Sequence, residues 1–91
     1  MKTRTNIEKQ VVELIAQMWY EGYFIIETEI ARSGETLFIL EKGREFEAEA
    51  CKVFFKFISK NCKQFSEIKT QNFHHIIWNF ENICIMFWDC D

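Results

Sequence analysis

The residues of this sequence with metal-binding or nucleophilic chemistry are two histidines, His74 and His75, and four cysteines, Cys51, Cys62, Cys84 and Cys90. Their spacing argues against a shared site. Cys51 and Cys62 are eleven residues apart in a helical pattern, which separates them by ~16 Å along the axis. That is too far for one ion or one disulfide. Cys84 and Cys90 fall ~20 Å apart along an extended chain. Adjacent histidines in a strand point to opposite faces. No C-x₂-C or H-x₃-H pair is present, so no structural zinc is expected. The cysteines read as small hydrophobes and, without a secretory leader, as reduced thiols.

A Cys–His nucleophile pair drawn from His75 with Cys84 or Cys90 would need an orienting group and an oxyanion hole. The sequence signals neither. Phosphate-binding glycine loops, nucleophile elbows and H-E-x-x-H motifs are also missing. No catalytic residue, metal or cofactor is therefore assigned, and the expectation is a protein that is not an enzyme.

Charge is more informative. The chain carries a net charge of −3, which disfavours indiscriminate binding to nucleic acid or anionic membranes. Carboxylates crowd the first half, at Glu27, Glu29, Glu35, Glu41, Glu45, Glu47 and Glu49. Lys52, Lys56, Lys60 and Lys63 recur near helical spacing and form a basic stripe, the candidate nucleic-acid contact. The plain alternative is a solvated helix face favoured by the helix dipole. A nucleic-acid binder usually places arginine in such a stripe, and Arg4, Arg32 and Arg44 all lie elsewhere.

The elements that must position these residues follow from capping and periodicity. Thr5-Asn6-Ile7-Glu8 is a capping-box signature. Ile7, Val11, Leu14, Ile15 and Met18 then recur at helical spacing, predicting a helix over Asn6 to Tyr20 that stops at Gly22. Tyr23 to Lys42 is β-branched and aromatic, with Ser33-Gly34 at its centre. A two-residue turn there pairs Ile30 with Leu37 and Thr28 with Ile39. Phe24, Ile26, Ile30, Leu37 and Ile39 then share one face, and Tyr23, Ile25, Phe38 and Leu40 the other. A second helix is expected from about Arg44 to Asn61, with Glu45, Glu47 and Glu49 in its first turns. Residues 63 to 72, KQFSEIKTQN, form a polar connection with room for a short strand around Ile68.

The terminal run FHHIIWNFENICIMFWDC fits a helical stripe. It also fits two strands about a turn at Glu81-Asn82, the reading that strand propensity favours. The fold expected is α+β, in the order α-β-β-α-β-β. It is a single compact domain over residues 1–91, with two helices packed on one face of a four-stranded, mostly antiparallel sheet.

In that arrangement Trp78 faces Ile85 and Ile76 faces Phe87, toward the helices. Phe73, His75, Ile77, Cys84, Met86 and Trp88 face away. An uncovered sheet face should alternate to polar residues, and this one does not. Large exposed apolar patches usually mark interaction sites. The candidate partner interface is Tyr23, Ile25, Glu27, Glu29, Phe38, Leu40, Phe73, His75, Ile77, Met86 and Trp88.

Composition points the same way: 48% hydrophobic, 16% aromatic, ten Phe and no Pro in 91 residues. A chain this short needs a dense core to fold. The longest unbroken apolar run, Ile83 to Trp88, cannot span a bilayer, and the expected location is the cytoplasm of its own or a host cell. The function expected is that of a small non-catalytic protein that binds and inhibits or adapts another protein. Inhibitors, immunity proteins and phage anti-defence proteins have this profile. The acidic surface would suit a basic target such as the groove of a nucleic-acid-handling enzyme. Self-association as a homodimer would also bury the face. The alternatives are a nucleic-acid-binding regulator using the lysine stripe, and a secretion-type chaperone.

Overall fold

The computed structural model describes residues 3–90. Two helices and five strands follow in the order α1 (Asn6–Tyr20), β1 (Phe24–Ile30), β2 (Thr36–Lys42), α2 (Ala48–Asn61), β3 (Gln64–Lys69), β4 (Phe73–Asn79) and β5 (Ile83–Cys90). The strands form one sheet in the order β1-β2-β5-β4-β3. β5 pairs parallel to β2, and every other neighbouring pair is antiparallel. The chain is α+β, with five strands where four were expected. The additional strand is β3, which contains Ile68 and, among the described residues, is an edge paired to β4 alone.

α1 begins and ends as its sequence dictates. Thr5 Oγ1 accepts from Glu8 N at 3.3 Å, and Glu8 Oε1 accepts from Thr5 N at 2.7 Å. Together these satisfy two otherwise orphaned donors. At the other end Gly22 N donates to Trp19 O and Tyr23 N to Met18 O. This Schellman ending needs a left-handed residue at Gly22, whose φ is 81°.

α2 starts at Ala48 rather than Arg44. Gly43 N donates to Tyr23 O and Glu45 N to Gly22 O, so these residues are tied to the end of α1 and cannot turn into a helix. A Cβ on Gly43 would sit 2.3 Å from Gly22 O, and only glycine permits that approach. Glu47 is therefore the N-cap, accepting from Glu49 N.

The core is one cluster between the helices and a single sheet face. Val11, Ile15 and Met18 of α1 and Cys51, Phe54 and Ile58 of α2 meet Phe24, Phe38, Leu40, Ile76, Trp78, Ile83, Ile85 and Phe87. Aromatic rings dominate it: Phe55 lies 4.8 Å from Phe87 and 5.2 Å from Trp78 between centroids. Fully buried Trp78 keeps its indole N–H satisfied by donating to Ser59 Oγ at 2.7 Å, as a buried indole requires.

Register in the first hairpin differs from expectation by one residue. Thr28 opposes Phe38 and Ile30 opposes Thr36. Gly34 N donates to Ala31 O and Ala31 N to Glu35 O, and Gly34 has φ 91°. The connection is thus a three-residue loop closed by a left-handed glycine, not a two-residue turn. A one-residue slip exchanges the faces of a strand. Phe38 and Leu40, expected to face away from the helices, are in the core, at 7% and 0% exposure. Leu37 and Ile39 take the outward positions.

Candidate functional site

Both helices lie on one sheet face, so the other is uncovered among the described residues. Cross-strand pairing defines its membership. The hairpin of β4 and β5 pairs as the sequence predicted: Trp78 opposite Ile85 and Ile76 opposite Phe87 toward the helices, His75 opposite Trp88 and Ile77 opposite Met86 away from them. β2 contributes Leu37 and Ile39, opposite Cys84 and Met86. Ile25 and Ile68 extend the apolar surface to the two edges, at 56% and 57% exposure. The result is a band of apolar side chains across all five strands.

The predicted interface residues therefore sort into three groups. Ile25, Glu27, Glu29, Phe73, His75, Ile77, Met86 and Trp88 share the outer face. Tyr23 precedes β1 and packs partly against the core. Phe38 and Leu40 are not on the outer face, for the register reason given above. Leu37, Ile39 and Ile68 are on it. Their signal was present in the alternation of TLFIL and in the isolated apolar residue of QFSEIK, but the turn length that assigns the face was not.

Charge on this face has one sign among the described residues. Glu27 and Glu29 on β1 and Glu41 on β2 are exposed on it, and Glu35 at the end of the β1–β2 loop acts on outward Cys84. At its centre His75 stacks on Trp88, with ring centroids 4.1 Å apart and planes 25° apart. Phe73 meets Trp88 edge-on at 5.8 Å. Nε2 of His75 is buried with no hydrogen-bond partner among the described residues, an arrangement that costs free energy until a partner is found.

Neither Cys84 nor Cys90 lies directly across from His75, and Cys90 opposes Phe73. His75 opposes Trp88, whereas Cys84 opposes Asn79. Burial pushes the thiols of Cys51, Cys62 and Cys84 above their ordinary pKa, which keeps them protonated and weakly nucleophilic at neutral pH. The four cysteines are free thiols. No cluster of three or more His, Cys, Asp or Glu side chains suited to a metal occurs among the described residues. Nor is any helix there long and apolar enough to cross a membrane.

The helix side carries a second feature. α2 does not reach across β3, and between them lies a cleft of about 480 Å³. Lys52 and Lys56 of the predicted stripe line it; Lys60 and Lys63 do not. Lys69 and Phe65 of β3 complete the opposite wall. Sequence reasoning missed both because the polar stretch that holds them was not assigned to the sheet.

Comparison of the chain with protein-family models, with characterised proteins and with solved structures finds no match.

Proposed function

We propose that the protein is a non-catalytic binding module whose uncovered sheet face docks onto another protein, inhibiting or adapting it. One observation carries the reading. The middle of the face opposite the helices, on β2, β5 and β4, is mostly apolar (Leu37, Ile39, Cys84, Met86, Trp88, Phe73 and Ile77), although an open sheet face normally alternates to polar residues. Aromatic residues and Met, enriched at interface cores, occupy its middle as Phe73, Trp88 and Met86. The stacked His75–Trp88 pair is the natural anchor, since large aromatic side chains dominate binding energy.

The chemistry of the partner follows from the margin. Glu27, Glu29 and Glu41 give the β1–β2 side of the face negative charge, and none of the three is in an ion pair among the described residues. A basic surface complements this, and the charges would act mainly on association rate. A basic nucleic-acid-handling enzyme is a target of that kind.

The test is capture of partners by wild-type protein and by outer-face variants. Wild type should retain one protein at stoichiometric yield. Trp88→Asp and Ile39→Asp should lose it, and Glu27→Lys with Glu29→Lys should slow association at low salt. Retention of the same protein by the Asp variants would refute the reading. Capture of nuclease-sensitive material alone would do so as well.

A further inference from the structure

The cleft between α2 and β3–β4 has a composition that neither the core nor the outer face explains. Four lysines line it, Lys42, Lys52, Lys56 and Lys69, against two carboxylates, Glu67 and Asp89. That is a positive balance in a chain whose net charge is −3. Both carboxylates are already engaged. Asp89 pairs with Lys42 at 2.9 Å, and Glu67 contacts His74 Nε2. Lys52 makes only a loose, exposed contact with Glu49 at 3.4 Å. Lys56 on the helix wall and Lys69 on the strand wall have no carboxylate within 4.0 Å among the described residues. Charge in the cleft is therefore unneutralised, and it comes from both sides.

The surface between these lysines is aromatic. Phe55 and Phe87 stand at the back of the cleft, and Phe65 stands on β3 at 48% exposure. On this side of β3 Phe65 is flanked by charged Glu67 and Lys69, and although it lies across from fully buried Trp78 it leaves about half of its own surface exposed. Gln71 and Asn72, in the β3–β4 turn, add side-chain amides at the rim. A volume of about 480 Å³ is within the range of small-molecule sites.

We infer that this cleft binds a nucleoside phosphate, either free or as part of a single strand. The base would stack on Phe65 while Lys56 and Lys69 contact phosphate from the two walls, with Lys52 at the margin. Aromatic stacking beside lysines is how single-stranded nucleic acid is held without reading its sequence. The amides of Gln71 and Asn72 would meet base or sugar edges. Lysine without arginine gives point charges rather than a bidentate fork, so inorganic phosphate alone should bind poorly. The inference stands independently of the protein-binding reading, since the cleft and the outer face lie on opposite sides of the sheet.

Calorimetric titration of the full chain with AMP, with a short single-stranded oligonucleotide and with inorganic phosphate tests it. AMP or the oligonucleotide should bind, and inorganic phosphate should bind at least about tenfold more weakly. Lys56→Glu and Lys69→Glu should each weaken binding by about tenfold or more. Phe65→Ala should weaken it by about tenfold and Phe65→Tyr should restore it. These side chains are exposed, so circular dichroism should be unchanged. Trp88→Asp should leave nucleotide affinity intact. If the source is a strand, the oligonucleotide binds tighter than AMP, and each lysine reversal lowers the log–log salt slope by about 0.7. If the source is a free nucleotide, AMP binds as tightly as the oligonucleotide. No binding of AMP or oligonucleotide at millimolar concentration would overturn the inference. Binding that survives the double lysine reversal, or equal binding of inorganic phosphate, would also overturn it.

Discussion

Removing the Glu8 carboxylate should destabilise the fold well beyond the loss of a helix cap. Glu8 is 1% exposed, although it stands in the first turn of a surface helix. Its carboxylate accepts from Thr5 N at 2.7 Å, from Asn82 Nδ2 at 2.9 Å and from Asn82 N at 2.6 Å. The last two bonds join α1 to the β4–β5 turn. Loss of the capping box alone costs about 1 kcal/mol. Leaving the two Asn82 donors without an acceptor adds roughly 1 kcal/mol each, at the low end of the usual range because Asn82 is only half-buried. Glu8→Ala should therefore cost about 3 kcal/mol, and Asn82→Ala, which removes one bond, about 1 kcal/mol. The two sites touch, so a double-mutant cycle by urea denaturation should give a coupling of about 1 kcal/mol. A coupling near zero would refute the bridge.

The pH dependence has a definite sign. Burial works to raise the Glu8 pKa, but the donors of Thr5 and Asn82 outweigh it and hold the carboxyl below its ordinary value. A depressed folded-state pKa means that the unfolded chain takes up the proton first. The Glu8 contribution is then fully present above the ordinary glutamate value of about 4.3 and is lost as pH falls through the lower folded value. Urea midpoints of wild type and Glu8→Ala should converge below about pH 4 and stay apart at pH 7. A constant difference across that range would show that the carboxylate is not the group responsible.

Three further outcomes are expected. Sedimentation should find wild type dimeric at high micromolar concentration and Trp88→Asp monomeric, the substitution costing roughly 2–4 kcal/mol of association; a wild-type monomer would refute self-association through this face. Gly43→Ala should lower stability by about 2–4 kcal/mol in thermal melts, because its Cβ would meet backbone rather than a side chain that can move; an unchanged melting temperature would show that the Gly22–Gly43 approach is not tight in solution. With a thiol reagent at neutral pH, exposed Cys90 should react first and buried Cys51 only on unfolding; early reaction of Cys51 would contradict its burial.

How much of this was legible in the sequence depended on whether the deciding interaction was local. α1 was legible to the residue, because Thr5, Glu8 and Gly22 act within one turn of it. The β4–β5 hairpin was legible because its two apolar strings can face each other about only one short turn. The β1–β2 register was not, since it hangs on whether Ser33-Gly34 closes a loop of two residues or three. That single residue moved Phe38 and Leu40 into the core and brought Leu37 and Ile39 out. The start of α2 was lost for a non-local reason: the backbone of residues 43–45 is committed to residues 22–23. Glu8 was read as a cap, but nothing in its neighbourhood announces a partner as distant as Asn82.

The apolar ending of the chain follows from where β5 lands. It enters the middle of the sheet, between β2 and β4, so both its edges are paired and its side chains meet other strands on each side. Ile83, Ile85 and Phe87 must be apolar because the helices bury them. Cys84, Met86 and Trp88 are under no such requirement, and neither are Ile77 on β4 and Ile39 on β2. A sheet stabilised only by its helix side could carry Thr, Lys or Glu at these outward positions at little cost, as β1 does with Glu27 and Glu29. Apolar choices there reduce solubility and raise the risk of self-association, a penalty that becomes an advantage when the face is covered. The contrast between outward Ile39 and Met86 and outward Glu27 and Glu29, within one sheet, is therefore the strongest reason to seek the partner at β2, β5 and β4 rather than at the β1 edge. It also predicts the order of effects: Ile39→Asp and Trp88→Asp should abolish docking, whereas the glutamate reversals should only slow it.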